Sequence, residues 1–193
     1  MAAAWVVVLA GGESRRFGSD KLAADLGGRT LLDATLDAVP ADLPVVVVGP
    51  PRAVRRSVQL VREEPPGGGP AAGLVAGLSA ALAAGAGRIS TLPGDAPAAG
   101  TAVPALLEAL RESDLVVAEA ADGQIFTLQL ACTPAGARRI LEAAGPSLGS
   151  GASVRRLLES LEPRPRRFVL GPLALRDVDT RSDLHRIGED PTG

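Results

Sequence analysis

The chain is nearly without lysine, histidine, cysteine and aromatic rings. Its 193 residues include one lysine against nineteen arginines, one histidine, one cysteine, three phenylalanines and no tyrosine. Each scarcity argues against a class of function. With almost no rings to stack bases, a platform for single-stranded nucleic acid is not expected. A net charge of −2 supplies no field for nucleic acid or an anionic membrane. One cysteine cannot close an intramolecular disulfide and fits a reducing compartment. Cys132, inside the apolar run QLACTP, reads as a buried thiol. One histidine and no CxxC spacing leave no transition-metal site, and His185 reads as a surface or packing residue of a terminal helix. No apolar stretch is long enough to span a bilayer, and MAAAWVVVLAGG lacks the basic start of a signal peptide. The expectation is a soluble, cytoplasmic protein.

What is abundant is alanine, valine and leucine. Valine runs suit buried parallel strands, and alanine with leucine suits the helices that cover them. Apolar runs and helical patterns alternate along the chain, the βαβ signature of a three-layer α/β fold with a mostly parallel sheet flanked by helices. Strands are expected near Trp5–Leu9, Val45–Gly49, Val58–Glu64, in Arg88–Pro97 with its exit loop, and near Leu115–Ala120. Helices are expected near Thr30–Ala38, Ala71–Ala84, Val103–Glu112 and Pro134–Ala144. Two late β-like runs, RFVLG and LALRDVD, precede a last helix that opens on Thr180-x-x-Asp183, a capping pattern with an acid at the third helical position. One domain over 1–193 is expected, with a nucleotide-binding half (1–112) and an acceptor-binding half (113–193).

The charge is concentrated where the first strand ends, in VVVLAGGESRRFGSDKL (Val6 to Leu22). A parallel sheet places its ligand beyond the carboxyl ends of its strands, and the first βα loop is the favoured place. Gly11 and Gly12 let the backbone approach a ligand closely, and their N–H groups suit a phosphate. Lys21 is the sole lysine in a chain that uses arginine elsewhere, so its position calls for a compact ammonium. Neither common nucleotide motif fits. The GxxxxGK[ST] loop fails because Gly12 and Gly18 are one residue too far apart and Leu22 follows Lys21, and GxGxxG is absent.

The run from Leu9 to Lys21 matches LAGGxSxRxGxxK without a gap, and in this it resembles the MobA-like NTP transferases. The resemblance continues through Gly69-Pro70-Ala71-Ala72-Gly73, Asp95-Ala96-Pro97, Asp122-Gly123 to Leu128, Ser153 to Leu158 and Asp177 to Leu184. It departs at Thr127 and Arg181, where the family has proline, and at Asp177 and Asp179, where it has asparagine. These departures lie in the half expected to hold the acceptor and the second metal contact.

The resemblance implies a Rossmann-like nucleotidyltransferase fold and transfer of GMP from GTP to molybdopterin, releasing pyrophosphate. Mg²⁺ is the implied cofactor, with Mn²⁺ as a substitute. Molybdenum-cofactor delivery or insertion proteins are implied partners; nucleic acid and membrane are not. Nucleotide contacts are expected from Leu9, Ala10, Gly11, Gly12, Ser14, Arg16, Lys21, Glu64, Gly69, Gly73 and Asp95. Arg16 suits the β/γ-phosphates and Lys21 the α-phosphate. Asp95, just beyond a buried strand, is the expected metal ligand, completed by Asp177 or Asp179, between which alternation in a strand cannot choose. A carboxylate can accept both Watson–Crick donors of guanine, and Glu63 or Glu64 lies where such a reader is expected. Two rival readings remain: cytidylyl transfer, or a related transfer to another phosphorylated acceptor, and a nucleotide- or pterin-binding module without catalysis.

Overall fold

The structure is a computed structural model that describes residues 3–12, 17–18, 20–145 and 152–189. Seven strands form one sheet: β1 (Ala4–Leu9), β2 (Val45–Val48), β3 (Gln59–Val61), β4 (Arg88–Pro93), β5 (Leu115–Glu119), β6 (Ile125–Cys132) and β7 (Arg166–Val169). Their order is β3-β2-β1-β4-β6-β5-β7. Every pairing is parallel except those of β6, which runs antiparallel to both β4 and β5. The carboxyl ends of β1, β2, β4 and β5 therefore share one edge with the start of β6.

Valine runs make β1 and β2 because both faces of the sheet are covered. Val6 and Val8 point into one core and Val7 into the other, as the period of two requires. Helices α1 (Leu31–Ala38) and α3 (Val103–Ala109) cover the first face. Helices α2 (Pro70–Ala83), α4 (Pro134–Ala144) and α5 (Val154–Glu159) cover the second. Each fully buried Val or Leu contributes about 1.5–3 kcal/mol relative to exposure. The approach of α2 to the sheet is close enough to require glycine. A Cβ on Gly77 would lie 2.3 Å from Val7 Cγ1.

Local chemistry sets the helix ends. Thr30 caps α1 by accepting from the Asp33 N–H at 3.0 Å, and its hydroxyl donates to Asp33 at 2.8 Å. Burial alone would raise the Asp33 pKa, but the Arg55 N–H and Thr30 hydroxyl hold it below the ordinary carboxylate value. The other end of α1 is stapled by Arg56. Its Nη1 donates to the Leu36 and Val39 carbonyls (2.9 and 2.8 Å), and its Nη2 to those of Pro40 and Leu43 (both 2.7 Å). The last helix, α6 (Arg181–Glu189), begins with the expected capping pattern: the Thr180 N–H donates to Asp183 at 2.7 Å, and the Asp183 N–H to Thr180 at 3.2 Å.

Two expected strands differ. The one expected over Val58–Glu64 shortens to β3, an edge strand whose Gln59 and Leu60 are exposed. The LALRDVD run is not a strand. Pro172–Leu175 form a 3₁₀ turn, and the residues after it join no ladder. Proline at the start of the turn fixes φ and removes a donor, and single long-range bonds replace a partner strand. Among the described residues no helix is long and apolar enough to cross a membrane.

Candidate active site

The site is built at the carboxyl edge of the sheet from three segments far apart in sequence. The first follows β1. Asp20 caps a short 3₁₀ turn, Lys21–Ala23, by accepting from the Leu22 N–H at 3.1 Å, and this turn carries Lys21. The second follows β4. Gly94 donates to the Leu9 carbonyl (2.9 Å), and its own carbonyl accepts from the fully buried Thr35 hydroxyl of α1 (2.9 Å). Pinned from both sides, this loop presents Asp95. The third is Asp177–Asp179. The Val178 side chain is buried in the core, its N–H donates to the Asp95 carbonyl (2.9 Å), and its carbonyl accepts from Lys21 Nζ (3.0 Å). Gln129 of β6 holds the approach to this segment through the Ala174 carbonyl at 2.9 Å.

Lys21 Nζ thus lies 2.5 Å from Asp95 Oδ2 and 3.5 Å from Asp179 Oδ1. Burial favours the neutral amine, but the hydrogen bond and charge of Asp95, with those of Asp179, outweigh it and raise the Lys21 pKa. The ammonium is therefore fixed. Asp177 behaves in the opposite sense. Partial desolvation first, then the charges of Asp179 and Asp95, raise its carboxyl pKa, although its surface is open to solvent. Among the described residues no three histidine, cysteine or carboxylate side chains form a closed metal cage. Asp95 with Asp179 nevertheless fits an open site for a hard cation, since Mg²⁺ takes one or two carboxylates and fills its remaining positions with water and phosphate oxygens.

The other expected residues divide. Ser14 and Arg16 lie outside the described residues. Leu9 ends β1, the Ala10 N–H donates to the Val48 carbonyl at 2.7 Å, and Gly11 and Gly12 are exposed, Gly12 with φ +113°. Gly69, at φ +89°, precedes α2. Gly73, expected at the nucleotide, is buried in the first turn of α2 with its N–H donating to the Gly69 carbonyl, and a Cβ there would meet Leu9 and Val48. Of the two acids, Glu64 is exposed and Glu63 is buried. One Glu63 oxygen accepts from the Gly67 N–H at 3.0 Å, while the other is buried without a partner. The same carboxylate lies 3.9 Å from where a Cβ on Gly11 would stand, so it faces the glycine loop.

Sequence reading missed Thr35, Arg52 and the Val178 backbone. Thr35 carried a signal, a hydroxyl on the apolar stripe Leu31-Leu32-Thr35-Leu36. The other two carried none. Cys132 is fully buried in β6, and burial pushes its thiol up to about 12.

Comparison with known proteins gives a consistent picture. Residues 6–166 match the family model of the MobA-like NTP transferase domain. A probable molybdenum cofactor guanylyltransferase of Opitutus terrae is 45% identical over 95 residues, 47% of each chain. A molybdenum cofactor guanylyltransferase of Cereibacter sphaeroides is 37% identical over 96 residues, 47% of this chain and 49% of that protein. The chain spans about half the length of the curated relatives it matches. Among solved structures, a Methanothermobacter nucleotidyl transferase superposes with TM-score 0.72 at 28% identity, covering 97% of this chain and 96% of its own.

Proposed function

The chain belongs to the MobA-like NTP transferase family, and on that premise we propose that it transfers GMP from GTP to molybdopterin with release of pyrophosphate. The observation that carries this reading is the meeting of Lys21, Asp95 and Asp179 at the sheet edge beside the glycine loop. Nucleotidyl transfer brings two polyanions together, so catalysis is mostly charge neutralisation and in-line positioning. An acceptor phosphate oxygen attacks the α-phosphorus. The new P–O bond forms as the α–β bridging bond breaks, and pyrophosphate leaves with the electron pair. The attacking phosphate is already ionised, so no protein base is needed, which agrees with a site lacking histidine.

Gly11 and Gly12 offer exposed backbone to the phosphates. Lys21, held charged, opposes the negative charge that shifts at the α-phosphate. Arg16 would bind the β/γ-phosphates through its planar fork. Asp95 and Asp179 would hold Mg²⁺, or Mn²⁺ in its place, which when bound neutralises phosphate oxygens. Glu63 is the base reader in this scheme. A buried carboxylate with one unpartnered oxygen is costly unless a ligand supplies a donor, and guanine presents N1–H and N2–H₂ together.

The test is thermal stabilisation by GTP, CTP, ATP and UTP, each with and without Mg²⁺, in wild type and Asp95→Ala. A magnesium-dependent shift selective for GTP and lost in the variant supports the reading, and pyrophosphate release with molybdopterin then completes it. A larger shift with CTP moves the protein to cytidylyl transfer. No shift with any nucleotide in folded protein overturns it.

A further inference from the structure

Arg52, in the loop after β2, reaches both shoulders of the glycine loop at once. Its Nη1 donates to both Asp20 oxygens, at 3.2 and 2.9 Å, and its Nη2 to the Ala10 carbonyl at 3.4 Å. The side chain is 17% exposed, although its Asp20 partner is half open to solvent. Its Nε–H is buried without a partner. A residue serving only to neutralise Asp20 would not bury a donor unsatisfied, and a lysine would make that pair without the cost. What the guanidinium adds is reach: one rigid fork spans the residue before the two glycines and the residue before Lys21.

We propose that Arg52 is the positioning residue of the glycine loop, holding Ala10 and Asp20 at a fixed separation and thereby aiming Lys21. The link to Lys21 is direct. The Asp20 carboxylate that Arg52 grips also accepts the Leu22 N–H, which sets the turn that carries Lys21 towards Asp95. Ala10 is equally constrained, since its N–H is tied to β2 and its carbonyl to Arg52. Gly49 makes this closeness possible. It has φ +152°, and a Cβ there would lie 2.6 Å from the Ala10 carbonyl oxygen. The β2 exit thus packs directly on the start of the loop, and Arg52 continues that contact to the loop's far side. Arg52 acts on Lys21 through Asp20 and Ala10.

The consequence for turnover rests on the nucleotidyl-transfer reading, so the test has one arm that needs no reaction. Amide hydrogen exchange is compared in nucleotide-free wild type, Arg52→Met, Arg52→Lys and Asp20→Asn, with β4 as internal reference. Exchange at Ala10, Leu22 and Ala23, whose N–H groups are bonded at the two ends of the loop, is expected to rise at least about tenfold in Arg52→Met and Asp20→Asn, with β4 unchanged. Unchanged exchange at these amides overturns the proposal, whatever the protein catalyses.

In the kinetic arm, kcat of Arg52→Met falls about 100-fold, the scale of a misplaced catalytic group, with KM for the nucleotide changing far less. Arg52→Lys recovers part of this because it keeps the Asp20 charge and loses the second contact. The Arg52→Met/Asp20→Asn double variant is no worse than either single one, because both break the same link. A folded Arg52→Met enzyme with kcat within twofold of wild type, or an Arg52→Lys enzyme equal to wild type, refutes the positioning role. A wild type that turns over no nucleotide refutes the function reading instead, and the exchange arm then decides on Arg52 alone.

Discussion

Replacing Arg56 by methionine keeps the length of the side chain and removes its five donors. In the native protein its two terminal nitrogens serve four carbonyls at the end of α1 and in the turn that follows. Those groups lie where a helix leaves its last carbonyls unpaired and where its dipole favours a cation. A hydrogen bond to a charged group is worth about 1.5–3 kcal/mol net. Two nitrogens, each shared between two acceptors, are best counted as two such bonds, or about 3–6 kcal/mol on that scale. Arg56 is only partly buried, so water replaces part of what is lost and the expected cost is about 3 kcal/mol. For a chain of this length that lowers Tm by roughly 6–12 °C. Urea unfolding of wild type and Arg56→Met measures it, with equal m-values as the condition for comparison. Arg56→Lys should recover less than half, because an ammonium cannot span four acceptors in one plane. A loss below about 1 kcal/mol with m unchanged would mean that water satisfies these carbonyls as well as the guanidinium does.

Further outcomes follow from other sites. In the proposed base-reading role, Glu63→Gln removes one carboxylate acceptor and should cut the kcat/KM preference for GTP over CTP by about 10- to 100-fold; Glu64→Gln, at an exposed position, serves as the comparison. Asp33 has a pKa below the ordinary 3.8, so it stabilises the fold above that value and the contribution fades as pH falls through its folded value. Asp33→Asn should therefore melt earlier than wild type at pH 7, and the two melting curves should converge well below pH 3.8. Cys132, buried with its thiol pushed up to about 12, should resist a thiol reagent at pH 8 in the native protein and react at once in denaturant. Rapid native labelling would contradict that burial.

The parts of this protein that were legible in its sequence are those set by local chemistry. Apolar runs bounded by glycine and proline became β1, β2 and β4, and the Thr180–Asp183 pattern became a cap, because neither depends on what lies elsewhere in the chain. The unusual status of Lys21 was legible by contrast with nineteen arginines. What alternation could not reveal was whether LALRDVD had a strand to pair with. An extended segment held by single bonds and a true strand share the same period of two, and only the folded chain shows that Val178 is gripped by Asp95 and Lys21 instead. The same limit hid Arg52, whose partners at positions 10 and 20 follow no spacing rule. Glu63 and Glu64 are chemically alike, and only the burial that follows β3 distinguishes them.

The bond from Lys21 to the Val178 carbonyl joins residues 157 positions apart. On a ribosome adding roughly 5–20 residues per second, strands β1, β2 and β4 are long complete before the segment that closes the site exists. A nascent chain shorter than this carries Lys21 and Asp95 without the Val178 backbone that bonds to both. Assembly of the site therefore waits for residue 178, and a chain cut before it lacks the bond that ties Lys21 to this segment.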